Sequence, residues 1–354
     1  MKILYVATIG GFMPFFKSLV KQLIEDGNEV DFAANQSSSQ VPEYYKEWGC
    51  KVFDISCSRS PFSLGNIKAI KQIRALAKNY DIVHCHTPLA GMSTRFACRK
   101  LRKQNNLIVI YTAHGFHFYK GAPLKNWLLF YPIEKLCSRW TDVLITINKD
   151  DYAFAKKKMK TKVVEYVPGV GIDTNRFVLS NVDKYKKRDE INISRDAFMI
   201  LSVGELNKNK NHQIVLRAIA KSKRSNIHYV IAGVGDQLEN LNKLASELGV
   251  HLHLLGYRSD VIDLYKSADL YVLPSIREGL NVSIMEAMAC NCPVIASKIR
   301  GNIDMVPAEN CFCPFSENEI VELIDKDKII NSDFVKKIDV KIINQKMKEL
   351  YGIN

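Results

Sequence analysis

No stretch of the 354 residues reaches the roughly 18 consecutive apolar positions that a membrane-spanning helix needs. No secretory leader is expected either. The opening MKILYVATIGGFMPFF is apolar, but no charged leader segment and small-residue cleavage site frame it, so it reads as a first strand entering a Gly-Gly turn. A cytoplasmic location is therefore expected. The nine cysteines are odd in number and irregular in spacing, which excludes a disulfide framework. Cys290/Cys292 and Cys311/Cys313 leave one residue between them where zinc knuckles usually leave two, so packed thiols are expected there. Low-complexity tracts and sequence repeats are also missing.

Acidic residues are scarce in the first half only. The formal net charge is +13, and residues 1–180 hold 26 Lys and Arg against 14 Asp and Glu. Residues 181–354 hold 24 against 23. Between Arg95 and Lys160 there are 14 basic residues and 4 acidic ones. A one-sided field of this kind suits an anionic partner such as a membrane surface or a pyrophosphate-linked lipid, or it is simply a solvated basic face. No recognised nucleic-acid motif accompanies it, so no nucleic-acid partner is expected.

With 47% apolar and 25% charged residues, the chain has a globular composition and the length of two domains. Strand patterns at Ile3–Ala7, Glu29–Ala34, Ile82–Cys85, Leu107–Thr112 and Val143–Thr146 alternate with helical ones at Phe16–Ile24, Ile67–Ala77, Ser93–Lys103 and Leu124–Trp140. The last of these contains Pro132, which should kink it. Residues 178–196 are charged and poor in apolar side chains, so they read as a linker or surface segment. The pattern then restarts, with strands at Met199–Val203, Tyr229–Ala232, Leu252–Leu255, Leu270–Leu273 and Val294–Ala296 and helices at Asn211–Ala220 and Gln237–Leu248. Strand–helix alternation implies right-handed crossovers and doubly wound parallel sheets. The expected architecture is α/β: two Rossmann-like domains, 1–180 and 181–338, with a final helix at about 339–354 returning to the first. Ligands of such folds bind at the carboxyl ends of the strands.

The stretch Pro274–Ser297 (PSIREGLNVSIMEAMACNCPVIAS) runs strand, loop, helix, strand. Glu278, Gly279 and Leu280 occupy the loop, Asn281 is a good N-cap, and the helix should begin near Val282 and Ser283. Free N–H groups at a helix start attract a diphosphate. Glu286 lies about one turn further on, with Ile284, Ala287 and Met288 free to face the sheet. A carboxylate there can accept two hydrogen bonds from a vicinal diol such as a ribose.

Glu278 and Glu286 match the Glu-x7-Glu motif of retaining glycosyltransferases with the two-domain B-type fold. The surrounding block resembles family 4, especially its bacterial capsule and exopolysaccharide members. Other matches follow in order along nearly the whole chain. Ser202–His212 (SVGELNKNKNH) resembles the family's pyrophosphate-binding segment after a strand. The resemblance implies Gly204 and Lys210 in donor binding, with Lys208 as a nearby cation. Glu205 stands where the family has arginine, and a carboxylate repels phosphate. Leu255–Asp260 resembles the nucleobase loop and assigns Tyr257 and Arg258 to it. Gly10 and Gly11 resemble the flexible glycine loop near the donor phosphates. Thr112–Tyr119 (TAHGFHFY) resembles the segment whose first histidine meets the donor sugar, which points to His114, with His117 a candidate for the acceptor or a structural histidine. The resemblance further implies a cleft between the two domains that closes over substrates.

His84-Cys-His86 and His114-x-x-His117 raise the question of a metal centre. No carboxylate at ligand spacing accompanies them, and the resemblance implies metal-independent chemistry. The expected ligand is a nucleotide sugar, usually UDP-linked, with no further cofactor. The expected acceptor is a saccharide on a polyprenyl diphosphate. Lys120, Lys125, Trp127 and Arg139 lie on or beside the segment 124–140, which carries Leu124, Leu128, Tyr131 and Trp140, a mixture that suits a helix at the inner face of the cell membrane. The other reading of that helix is simple packing on the sheet. For the whole chain, a sugar-nucleotide epimerase, a glycogen-synthase-like polymerase, and a non-catalytic binder of sugar nucleotide or anionic lipid are the alternatives. Glu205 keeps the last one open.

Overall fold

The structure, a computed structural model, describes residues 1–353. It divides into two compact units, 1–170 with 341–354 and 171–340.

The first unit is built on seven parallel strands: β1 Lys2–Ile9, β2 Glu29–Asn35, β3 Val52–Asp54, β4 Ile82–His86, β5 Ile108–Ala113, β6 Val143–Thr146 and β7 Val163–Tyr166. Their order is β3-β2-β1-β4-β5-β6-β7. The sheet's central strands are buried on both faces, which is why β1 reads as a nearly continuous apolar run. Along β1, Ile3, Tyr5 and Ala7 enter one core while Leu4 and Val6 enter the other. Helix Lys17–Glu25 covers the first face with Leu19, Val20 and Leu23. The chain order reverses between β1 and β4, and that switch point leaves a crevice at the carboxyl ends of these two strands.

The second unit repeats the plan with β8 Phe198–Val203, β9 Ile227–Ala232, β10 His251–Leu254, β11 Leu270–Leu273, β12 Val294–Ser297 and β13 Cys311–Phe312, all parallel. The order is β10-β9-β8-β11-β12-β13, so its switch point lies between β8 and β11. Two Rossmann-like parallel-sheet domains in one chain are the α/β architecture expected from the strand–helix alternation.

Several local expectations need correction. The segment read as a linker contains a helix, Lys184–Glu190, capped by Asp183. Two of its charges, Lys187 and Arg188, are spent inside the fold. Arg188 is 1% exposed and pairs with Asp269 at 2.6 Å, and Lys187 reaches Asp260 at 2.9 Å. Charge density marks a linker only when the charges are solvated. The first unit ends at Val170 rather than at 180, because Ile172 and Phe177 pack into the core of the second. The helix expected at Ser93–Lys103 runs from Pro88 to Cys98, with proline at its first turn, and is followed by a short turn of helix at Leu101–Gln104. The helix expected to reach Trp140 ends at Cys137 and tightens into a 3-10 turn over Ser138–Trp140. The strands β3, β7 and β13, at the edges of their sheets, are too short or too polar to stand out in the sequence. Glu165 and Tyr166 of β7, for example, follow only two apolar residues.

Candidate active site

At the switch point of the second unit, the loop after β8 carries Lys210 and the loop after β11 carries Glu278. Lys210 Nζ donates to Glu278 Oε1 at 2.8 Å, and the two side chains are 15% and 14% exposed. Gly204 permits this. It follows the last residue of β8 with φ of +148°, and a side chain there would sit 3.1 Å from Lys210 Cε. Gly301 plays the matching part for the other loop. It has φ of +82°, and a Cβ at that position would meet the Gly279 carbonyl oxygen at 2.2 Å. Only glycine lets the two backbones approach so closely.

Helix Val282–Ala289 begins where expected. The Asn281 side chain accepts from Ser283 N at 2.9 Å and also from the Ser283 hydroxyl. That corrects the expectation of a free amide at Ser283, because the cap already satisfies it. Ser283 Oγ meets Tyr271 OH at 2.5 Å. Glu286 is half-buried one turn on, and Tyr265 OH donates to its Oε2 at 3.0 Å. Burial raises the Glu286 carboxyl above its ordinary range, opposed by the tyrosine hydroxyl and by the charge of Arg176. Ile284, Ala287 and Met288 are buried on the sheet side. Arg176 was missed in the sequence. Nothing in its local pattern links it to Glu286; the packing of helix Thr174–Leu179 on this helix does.

The other donor-site candidates divide. Lys208 is exposed beside a cavity of about 240 Å³ lined also by Asn207, Asn211, His212 and Gln237. Glu205 is exposed, and its carboxylate accepts from Asn207 Nδ2 at 2.8 Å. Tyr257 presents an almost fully exposed ring. Arg258 does not stand free beside it. Its guanidinium grips Asp260 through Nε at 2.7 Å and Nη2 at 2.5 Å, and Nη2 also reaches Glu190 at 3.0 Å. The arginine organises its own loop.

In the first unit, Gly10 and Gly11 do not form an open loop. They start a 3-10 turn, Gly10–Phe16. Gly10 N donates to Ser39 O at 2.9 Å, and a Cβ on Gly10 would lie 2.3 Å from Val41 N, so close backbone packing explains this glycine. Gly11 is exposed, with Ser39 Oγ in front of it. Beyond the end of β5, His114 is partly exposed and lies edge-on to Phe12 with ring centroids 4.7 Å apart. Burial lowers its pKa to about 4, so the ring is neutral near pH 7. Its Nε2 lies 3.2 Å from His86 Nδ1 at the end of β4. His84 bridges Thr112 Oγ1 at 2.8 Å and Tyr351 OH at 2.6 Å, and Tyr351 OH meets Tyr5 OH at 2.6 Å. The final helix, Val340–Tyr351, is thereby tied into the first sheet.

A second cavity, of about 300 Å³, opens at the carboxyl ends of β1 and β4. Its lining includes Thr8, Phe12, Arg59, Thr87, His117 and Phe130. Thr87 holds φ of +64°, which is strained for a β-branched residue. Its hydroxyl compensates by meeting Thr8 Oγ1 at 2.6 Å and His86 O at 2.5 Å. Such strain concentrates at functional sites. Arg59 is exposed and makes no ion pair among the described residues, and Phe62 and Leu64 beyond it are 86% and 80% exposed. The sequence reading missed all three.

Lys120, Lys125 and Arg139 are exposed. Trp127 is not: it packs on the core, and its indole donates to Tyr119 O at 3.3 Å. Helix Leu124–Cys137 is anchored from below by Glu134, which Arg95 grips at 2.8 and 3.1 Å. Leu124 and Leu128 remain 72% and 70% exposed. No helix among the described residues is long and apolar enough to cross a membrane. No group of three His, Cys, Asp or Glu side chains among them is placed to hold a metal ion. Cys290 and Cys292 are buried free thiols, and Cys313 is exposed.

Comparison with known proteins covers nearly the whole chain. Residues 183–336 match the model for glycosyl transferases group 1, and residues 9–176 match that for glycosyltransferase family 4. EpsD of Bacillus subtilis (strain 168) is 39% identical over 321 residues, which span 88% of this chain and 82% of EpsD. The UDP-Gal:alpha-D-GlcNAc-diphosphoundecaprenol alpha-1,3-galactosyltransferase of Escherichia coli is 29% identical over 296 residues, or 79% of this chain and 74% of that one. The crystal structure of Anabaena HepE in complex with UDP has the same fold, with a TM-score of 0.83 at 20% identity over 99% of this chain and 100% of HepE.

Proposed function

This chain belongs to the family 4 glycosyltransferases, and from that premise we propose that it moves a sugar, with retention of configuration, from a UDP-sugar to a saccharide borne on a polyprenyl diphosphate. The carrying observation is the second switch point, where one cation and two carboxylates of opposed environment are held by the loop after β8 and by the loop and helix after β11. Lys210 is the charge that neutralises the leaving diphosphate, so the reaction needs no metal ion for that purpose. Glu278 holds Lys210 in place and contacts the donor sugar. Glu286 takes the ribose diol. Preorganised charge of this kind, aimed where the leaving group gains its charge, is commonly the largest catalytic term. Tyr257 offers an open ring for the base. His114, neutral and partly exposed, hydrogen-bonds the donor sugar.

For the acceptor, the cavity beside Thr87 receives the saccharide, and Arg59 takes the lipid diphosphate. The E. coli relative is named for an acceptor of this type. Exposed Phe62, Leu64, Leu124 and Leu128, together with exposed Lys120, Lys125 and Arg139, favour docking on the inner surface of an anionic membrane.

Glu205, exposed where the family resemblance expects arginine, supports one other reading: a binder of sugar nucleotide without turnover. A single assay separates them. The protein is incubated with UDP- and GDP-linked sugars and a synthetic polyprenyl-diphosphate monosaccharide, with and without a chelator. The proposal expects a disaccharide-lipid product from a UDP-sugar, retained anomeric configuration by NMR, and indifference to the chelator. Donor binding with no product from any acceptor supports the binder.

A further inference from the structure

His86 occupies the last position of β4 and is fully buried. The ring is held on several sides: Phe16 stacks at 4.3 Å, His84 lies at 4.1 Å and Tyr5 at 5.8 Å between centroids. Its Nδ1 meets His114 Nε2 at 3.2 Å. Its other nitrogen, Nε2, is buried and has no protein hydrogen-bond partner among the described residues.

A hydrogen bond between two neutral imidazoles can be written in two ways. If His114 donates from Nε2, His86 must carry its own proton on Nε2. That places a buried N–H where no protein acceptor lies among the described residues. If His86 donates from Nδ1, the atom left over is a bare lone pair. Orphaned buried N–H groups are the rarer and costlier of the two. Burial disfavours the charged form of both rings, so a shared extra proton does not rescue the first arrangement.

We propose that His86 is a positioning residue that fixes His114 as the Nδ1–H tautomer, so that the outer edge of the His114 ring presents a neutral hydrogen-bond donor. His114 Nδ1 makes no hydrogen bond among the described residues, so this donor is available to a ligand oxygen. The catalytic consequence rests on the reading of His114 as the donor-sugar contact; the tautomer does not. A free histidine in water favours the other tautomer, and the buried neighbour overrides that preference. The strained Thr87 that follows His86 holds the end of β4 through its bonds to Thr8 and to the His86 carbonyl, which keeps the imidazole from following the chain outward.

The test is NMR on the unliganded protein labelled with 15N-histidine, read through long-range proton–nitrogen correlations. His114 protonated on Nδ1 and His86 protonated on Nδ1 are expected. His86 protonated on Nε2 overturns the proposal. Variants supply the second arm. His86→Asn keeps an amide N–H near the position of Nδ1, whereas His86→Phe keeps the packing and removes the donor. His86→Asn should retain kcat within a few-fold, and His86→Phe should lose about tenfold in kcat with little change in donor KM, the scale of one hydrogen bond. Equal loss in both folded variants overturns the positioning role. Should His86→Phe fail to fold, the tautomer measurement still decides. A correct tautomer in a protein that turns over no donor would count against the proposed function and leave this assignment standing.

Discussion

Lys210 and Glu278, 68 residues apart in the chain, form an ion pair of 2.8 Å in which each side chain is about one-seventh exposed. Neither group is comfortable there alone, because partial burial penalises an unpaired charge. Under the proposed function, the pair holds a cation in place before any diphosphate arrives. Lys210→Ala should lower kcat/KM by about 10²–10³, the usual cost of removing one preorganised donor from a developing anion. Glu278→Ala should act on the same element. In a double-mutant cycle the two losses should fall well short of additivity; strict additivity would mean that the pair is not a unit.

Glu286 gives a pH prediction. Its carboxyl is raised by burial, so the folded protein holds this proton more tightly than the unfolded chain does. The group's contribution to stability is then full at low pH and is lost as pH rises from the ordinary glutamate value of 4.5 through the raised one. Glu286→Gln should remove that dependence and be as stable as wild type or more stable at pH 7, while binding nucleotide at least tenfold more weakly, since hydrogen bonds to a charged group are worth about 1.5–3 kcal/mol. Urea titrations at several pH values and calorimetric titration with UDP check both halves. A destabilised variant that still binds normally would contradict the assignment.

Much of this arrangement was legible in the sequence, and the residues that were not share a cause. Glu278, Asn281 and Glu286 sit in one contiguous strand–loop–helix, where local chemistry is enough: a cap residue, a helical period and two carboxylates. Lys210 was legible from its motif, but its partner was not, because loops from two strands meet only in the folded sheet. Arg188 and Lys187 misled for the reverse reason. Their charges look solvated until Asp269 and Asp260 are brought to them. Arg258 read as part of the nucleobase loop, and its guanidinium is committed to Asp260 two residues away, a local pairing that the sequence did contain. Gly10 read as a ligand loop, whereas the backbone of Ser39–Val41 packs against it. Arg59 and Thr87 lie outside any motif, and only the cavity and the positive φ single them out.

Arg95 and Glu134 test the anchoring of the helix proposed for the membrane face. Arg95 is 1% exposed, and its bidentate pair with Glu134 also sits against Tyr111. Removing one partner leaves an uncompensated buried charge. Glu134→Ala should therefore cost about 3–5 kcal/mol, and the Arg95→Met/Glu134→Leu double variant should recover most of it. Denaturant unfolding measures both, and a double variant as unstable as the single one would show that packing rather than charge sets the cost.

Arg59 separates acceptor from donor. With Arg59→Ala, KM for a polyprenyl-diphosphate acceptor should rise about tenfold or more while donor KM stays unchanged, because only the acceptor's diphosphate loses a charged hydrogen bond. Steady-state kinetics with each substrate varied in turn provides the check. A rise in donor KM instead would move Arg59 to the other substrate.

The central claim is turnover of a nucleotide sugar at the Lys210–Glu278–Glu286 site. Its most direct test is nucleotide release from a panel of UDP- and GDP-sugars in the presence of membrane lipid extract, comparing wild type with Lys210→Ala and Glu286→Ala. Lipid-dependent release of UDP from one donor, strongly reduced in both variants, is the expected result. A folded wild-type protein that binds none of the sugar nucleotides, or variants that release nucleotide as fast as wild type, would contradict it.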